Sequence, residues 1–226
     1  MSAAGFWQRY VAWSLDAAII AIPVTVIVWP HWQSSVIGIA EAFDAFSARF
    51  AALAVDGLRS AEHPLLLARE WIQDEVLSRA ISSLESALVD AVTPGFAAFV
   101  LLAAMYWVAF ECSPWQATPG KRALNLVVTD LRDQRLGLFR AVWRHLAGLL
   151  SWLTLNAGHA LAALPPQKRA LHDYIAGTRV MQRGVRPLPV WARAWLLLQA
   201  LAMLAATAWL MLRIQGALQL ALYRLL

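Results

Sequence analysis

Arg9 and Asp16 are the charged residues of a membrane-length apolar run that opens near the start of the chain and extends to Pro30. A carboxylate held in a bilayer costs roughly 2.5–3.5 kcal/mol on insertion scales, so it is rarely left facing lipid. Seven residues make about two helical turns, which puts both side chains on one face, about 10 Å apart along the axis. Two chemistries fit. Asp16 is a protonatable or cation-binding carboxylate, as in the carboxylate relays of pumps and transporters. Alternatively, it is half of a buried ion pair, with Arg9 or a basic residue of another helix, that fixes packing.

A second carboxylate, Asp173, follows His172 in a basic loop beside an apolar segment. It could meet Arg9 or Asp16, and two adjacent carboxylates would hold one proton tightly between them. It could equally cap a helix by accepting backbone N–H groups. Lys121 could grip a lipid phosphate or act as a topological charge. Arg144 could pair with Glu111 or Asp173, or snorkel. His159, with Asn156 nearby, reads as a relay member or as a helix–helix hydrogen-bonding residue.

Other chemistries find no support. The chain has one cysteine, Cys112, so no intrachain disulfide framework or CxxC metal site is expected. His31 and His63 show no metal-ligand spacing. No nucleophile elbow, zinc motif or dinucleotide fingerprint occurs, and Ser14 or Ser151 would lack a paired base as a hydrolase nucleophile. A non-enzymatic protein without a cofactor is the expectation. The net charge of +5 does not point to nucleic acid, because the basic residues flank apolar spans.

The elements that must position these residues are membrane helices. The chain is 60% hydrophobic and 15% charged, with twelve tryptophans, many near segment ends. Soluble domains carry about 25% charged residues, and tryptophans gather in interfacial belts. The expected fold is all-α, a polytopic helical membrane protein with 3–4 hydrophobic segments. The candidate spans are 10–29, 94–110, 146–164 and 191–212. The first lacks signal-peptide features and reads as a retained span. The last reads as a span, with an interfacial helix as the alternative.

Residues 1–30 therefore form the first membrane helix, and 31–92 a water-exposed insertion with nine acids and four arginines. Phe43, Phe46, Phe50 and Leu53 make one helical stripe, and Leu77, Ile81, Leu84 and Leu88 another. A turn at 59–64 separates them. An amphipathic helical hairpin outside the cytoplasm is expected, its stripes buried against each other, extending the membrane helices or holding a partner. Residues 93–185 form the core, with two basic loops of six basic residues each placed in the cytoplasm with the N-terminus. The first loop contains the alternation Leu124, Leu126, Val128, which predicts a strand in a small β-hairpin-like loop. Because both loops are basic, 146–164 either crosses or re-enters through a break at 155–159. Residues 186–226 form the C-terminal hydrophobic helix. The lipid bilayer, anionic lipids and a second copy or membrane partner are the expected associates.

Three stretches together resemble one family. They are Arg9 and Asp16 within 5–16, the turn Thr118-Pro119-Gly120-Lys121 leading into 123–130, and Arg169-Ala170-Leu171-His172-Asp173 leading to Gly177-Thr178. An arginine ahead of the next hydrophobic segment adds Arg144. In this order the motifs resemble the RDD family of bacterial membrane proteins, named for one arginine and two aspartates. The resemblance covers 5–30 and 95–181. It departs at Asn125, where the family usually has glycine, and at 131–135, which replace an Asp-Gly turn. It implies a small transporter or transporter component, with cation/proton antiport proposed for some members, in the bacterial inner membrane. Arg9, Asp16 and Asp173 would be its polar centre. A non-catalytic scaffold is the alternative.

Overall fold

The first helix does not stop where its apolar run ends. In the computed structural model, which describes residues 1–60, 63–154, 157–164, 166–184 and 187–223, helix α1 runs unbroken over Phe6–Ser60. At 1.5 Å per residue it is about 80 Å long, far more than the ~30 Å of a hydrocarbon core. Pro23 and Pro30 lie inside it, as membrane helices tolerate. Helix α2 (Pro64–Gln73) follows, then α3 (Glu75–Glu111), with Pro94 inside it. A short helix α4 (Pro119–Ala123) and strand β2 (Leu126–Asp130) lead to α5 (Leu138–Leu153). Beyond α6 (Ala157–Ala160) and a 3-10 turn lie α7 (Leu171–Ile175), strand β3 (Thr178–Gln182) and α8 (Val190–Tyr223). Strand β1 (Ser2–Ala3) precedes α1.

Among the described residues, three helices, α1, α3 and α8, are long and apolar enough to cross a membrane. The 18-residue apolar window of α8 has no residue buried in protein. A helix apolar on every side and uncovered suits a span better than an interfacial position.

The expectation of an all-α fold needs correction. A three-stranded antiparallel sheet runs in the order β1-β3-β2. The strand foreseen near 124–128 exists, but its partner is β3, in the register Leu126↔Gln182 to Asp130↔Thr178. It is not one arm of a local hairpin. The sheet packs Leu126, Val128 and Val180 against Val11, Ala12 and Ala192, with Leu136 and Leu124 completing the core.

This pairing also decides how the segment 146–164 can run. Asp130 and Thr178 are direct partners, so the chain between them leaves and returns at one place. A single crossing would separate these residues by the ~30 Å of a bilayer. Instead the segment is broken: α5 ends at Leu153, Thr154 N–H closes on Leu150 O, and α6 starts at Ala157. The foreseen break at 155–159 lies partly outside the described residues, as does Asn156.

The two sequence departures have a physical reason. Asn125 has φ 57° and Asp133 has φ 63°, both left-handed. Glycine is the default there, and asparagine and aspartate are the side chains that visit the region most readily. The Asp130 carboxylate also accepts the Arg132 and Gln134 N–H groups at 2.8 Å, closing the turn without glycine.

Two compact units divide the chain. One comprises Met1–Val24 and Ala98–Leu198, the other Thr25–Ala97 and Gln199–Leu226. In the second, α1 and α3 lie side by side, with Trp32 Nε1 donating to Ala91 O at 2.9 Å. Phe43, Phe46, Phe50 and Trp71 form an aromatic ladder with centroid steps of 6.3, 5.8 and 5.3 Å. The expected second stripe is shifted: Leu77 and Ala80 are buried, whereas Ile81 and Leu88 are exposed. The bend between α2 and α3 rests on Asp74, which takes the Arg49 fork and accepts Leu77 N–H at 2.6 Å. The Arg49 hydrogen bonds hold its carboxyl down at about 2.

Candidate polar centre

All of the expected charged site residues lie in the first unit, but they form two assemblies. The first is built on Asp173. Its carboxylate is completely buried. Arg9 Nη1 donates to Asp173 Oδ2 at 2.5 Å, and Arg144 donates to Oδ1. Arg144 turns its Nε to Glu111 Oε2 at 3.0 Å, and Lys121 Nζ meets Glu111 Oε1 at 2.7 Å. The result is a chain of alternating charge, Arg9–Asp173–Arg144–Glu111–Lys121, that ties α1, α3, α4, α5 and α7 together.

Neutral groups complete the chain. Arg144 Nη1 donates to Thr178 Oγ1 at 3.0 Å, and Arg9 Nη2 to Lys168 O at 2.6 Å. Asp173 Oδ2 accepts Ala170 N–H at 3.0 Å, the backward half of a capping box. Arg169, stacked 4.2 Å over Tyr174, donates to Asp173 O at 2.7 Å and Thr178 O at 3.1 Å. Asp173 is therefore both helix cap and ion-pair hub. Arg144 reaches Glu111 through Nε and Asp173 through Nη1, a fixed planar arrangement of donors that the single nitrogen of a lysine does not reproduce.

The second assembly is built on Asp16, also completely buried. The expected pairing with Arg9 does not occur, since the Arg9 fork is taken by Asp173. Asp16 instead accepts from Thr118 Oγ1 at 2.5 Å, Gly120 N at 2.8 Å and Tyr106 Oη at 2.8 Å. Among the described residues it has no cationic partner. A Cβ on Gly120 would stand 2.2 Å from Ala12 O and 2.8 Å from Asp16 Oδ1. The Thr-Pro-Gly-Lys turn is thus a device for docking on α1. Thr118 donates to Asp16 and caps α4, Pro119 opens that helix, Gly120 allows backbone contact, and Lys121 reaches Glu111.

Of the two partners foreseen for Asp173, the structure gives Arg9 and not Asp16, and the two carboxylates have separate donor sets. Lys121, taken by Glu111, is not positioned as a lipid-phosphate grip. His159 and His172 lie against each other with tilted rings, centroids 5.2 Å apart. Their Nδ1 atoms and Ser151 Oγ are buried without a hydrogen-bond partner among the described residues. Glu111, Thr118 and Tyr106 were not singled out as site residues from the sequence, although each is a polar group at or inside a span boundary, the one available signal.

Acid should loosen this assembly. Burial pushes His172 down to about 3 from an ordinary 6.5, with Arg144 adding to it. Burial also works to raise the Asp173 carboxyl, but Arg144 and then Arg9 overcome it and hold it well below the usual range. Both groups are depressed, so their contributions are complete above the ordinary pKa values and are lost as pH falls. The expected result is a midpoint of thermal unfolding in detergent that declines as pH drops below 6.5 toward 3 through His172. His172→Gln should flatten the upper part of that decline; an unchanged profile would remove His172 as its source.

The motifs and the geometry meet in the comparisons with known proteins. The model of the RDD family matches residues 3–177. A Bacillus subtilis (strain 168) protein bearing the name "Uncharacterized protein YxaI" is 24% identical over 180 residues, covering 80% of this chain and 97% of the relative. No solved structure matches. With most of its length matched, and with its arginine and two aspartates engaged in the bonds described above, the chain belongs to the RDD family.

Proposed function

We propose that this protein is a small cation/proton exchanger of the bacterial inner membrane, and that Asp16 is its exchangeable site. The observation that carries this reading is the difference between the buried carboxylates. Glu111 and Asp173 have basic partners, whereas Asp16 is held only by neutral donors. A carboxylate held inside a membrane segment without a protein counter-ion is the kind of group that marks ion and proton pathways.

The chemistry follows from the donors. When Asp16 takes a proton it must donate it, so the Thr118 or Tyr106 hydroxyl turns from donor to acceptor. The Gly120 N–H cannot turn. When a cation replaces the proton, the carboxylate and both hydroxyl oxygens offer hard ligands, the type that sodium- or calcium-like ions prefer. Proton and cation compete for one carboxylate, which is the requirement of exchange. Arg9, Asp173, Arg144, Glu111 and Lys121 then serve as the fixed frame. His172, His159 and Asn156 stand as supporting groups. No covalent chemistry is involved.

The proposed topology has the N-terminus and both basic loops in the cytoplasm. The sheet supports it by joining β1, β2 and β3, the strands that border these segments. The acidic insertion would lie on the far side. Three spans are few for a pathway, so a second copy or a membrane partner is part of the reading.

Cation-driven proton flux in proteoliposomes tests it. Wild type should dissipate a pH gradient when sodium, potassium or calcium is added. Asp16→Asn at matched incorporation should lose at least about tenfold, the effect of removing an essential acid–base group. No flux from folded wild type with any of these ions would sink the proposal. A scaffold reading would then gain weight, because α2 has no buried residue and presents Leu65, Leu66 and Ile72. Excising 34–90 would abolish partner capture under that reading.

A further inference from the structure

We infer that α5 is an in-plane amphipathic helix whose outer face is seated in the lipid interface of the membrane. The inward face carries two alanines and two polar residues: Ala141, Arg144, Ala147 and Ser151 are buried. The opposite face presents Phe139, Val142, Trp143, Leu146, Leu149 and Leu150, all exposed. An uncharged face of large apolar side chains would not persist in water, and patches of this kind mark contact with protein or membrane.

Two observations select lipid. The first is depth. Arg144 bonds to Glu111, the last residue of α3, and His145 stacks on Trp107 one turn earlier, with centroids 6.1 Å apart. The α3 helix is long and apolar enough to span, and its uncharged run 95–110 ends at Glu111, which sets the proposed membrane boundary. These contacts hold α5 at that level. The second is the path of the chain. Asp130 and Thr178 are paired, so α5 departs from and returns to one side. A helix held at the boundary, apolar outward and unable to cross, matches an interfacial helix with its apolar face about 5–10 Å into the headgroup–acyl boundary. Trp143 on its outer side suits that boundary, and Arg140, on the side of Arg144, pairs with Asp130.

This placement has a consequence for the ion-pair chain. Its central residue, Arg144, sits on the inner face of the same helix, so the bilayer that seats α5 also aligns Arg144 between Glu111 and Asp173.

Nitroxide labelling tests the inference in the full-length protein in lipid nanodiscs. In a Cys112→Ala background, labels replace Phe139→Cys, Val142→Cys, Leu146→Cys and Leu150→Cys in turn. Arg132→Cys serves as a water reference and Leu101→Cys, on α3, as a lipid reference. Collision with oxygen should exceed collision with a water-soluble nickel chelate at all four sites, by about tenfold relative to the Arg132→Cys label, at a depth shallower than Leu101→Cys. Chelate access at these positions would place the face in water and overturn the inference. Exclusion of both reagents would mean a protein cover, such as a second copy, and would overturn it equally. Size-exclusion profiles matching wild type confirm that each labelled protein is folded.

Discussion

Asp173→Asn should destabilise the protein more than any other single charge removal, by about 3–5 kcal/mol in an unfolding titration in mixed micelles. The substitution keeps the shape and one acceptor oxygen but deletes the charge. Arg9 then has no carboxylate partner, Arg144 keeps only Glu111, and the Ala170 N–H cap weakens. A buried cation without its counter-ion is the costly outcome, more than the loss of the pair's attraction. Arg144→Met gives the informative contrast. It removes the central residue, yet Asp173 keeps Arg9 and Glu111 keeps Lys121. Its cost should therefore be smaller, even though it deletes more hydrogen bonds. An equal or reversed order would mean that connectivity, and not charge balance, governs the cluster.

The residues of the polar centre were legible in the sequence because charge is rare in a membrane chain. Arg9, Asp16, Arg144 and Asp173 stand out against their apolar surroundings, and the turn 118–121 and the run 169–173 carry the family's pattern. Some partners were foreseen as alternatives, Arg9 for Asp173 and Glu111 or Asp173 for Arg144, and these pairs form. The donors of Asp16 were not legible, since it finds Gly120 across 104 positions. Helical spacing put Arg9 and Asp16 on one face and suggested a pair, but shared direction is not contact: about two turns of helix separate them. The sheet was hidden for a related reason. Strand β2 shows the alternation of a strand, but β1 is two residues long and β3 lies beyond a long intervening segment, so no local signal joins them.

Helix boundaries were hidden by proline. Pro30 and the acidic residues beyond it suggested an end to the first span, yet α1 continues to Ser60. The prolines remove individual backbone bonds without breaking a helix supported along its sides, here by contacts such as Trp32 with Ala91. The turn at 59–64 was readable because Pro64 opens a new helix, with His63 accepting Leu65 N–H ahead of it. The break at Asp74 was not, because an aspartate can cap a helix or lie within one, and only the Arg49 contact decides which.

Gly120→Ala should be the second most damaging substitution, and it separates the structural job of Asp16 from the proposed chemical one. The added methyl would meet Ala12 O at 2.2 Å and Asp16 Oδ1 at 2.8 Å. The first is backbone of a packed helix and cannot rotate away. The turn must withdraw from α1, taking the Gly120 N–H and the Thr118 hydroxyl from Asp16. That leaves a buried carboxylate with Tyr106 as its remaining donor. Each lost bond to a buried charged group costs about 1.5–3 kcal/mol, so a loss of about 3–5 kcal/mol or failure to accumulate is expected. Asp16→Asn behaves differently: its Oδ1 still accepts from Gly120 and Tyr106, and its amide can donate to a rotated Thr118 hydroxyl. It should remain folded, within about 1–2 kcal/mol of wild type. A folded but flux-silent Asp16→Asn beside an unfolded Gly120→Ala would assign the carboxylate's charge to exchange and its hydrogen bonds to assembly. If Asp16→Asn instead unfolds as readily as Gly120→Ala, the charge itself holds the turn to α1, and Asp16 is a packing residue.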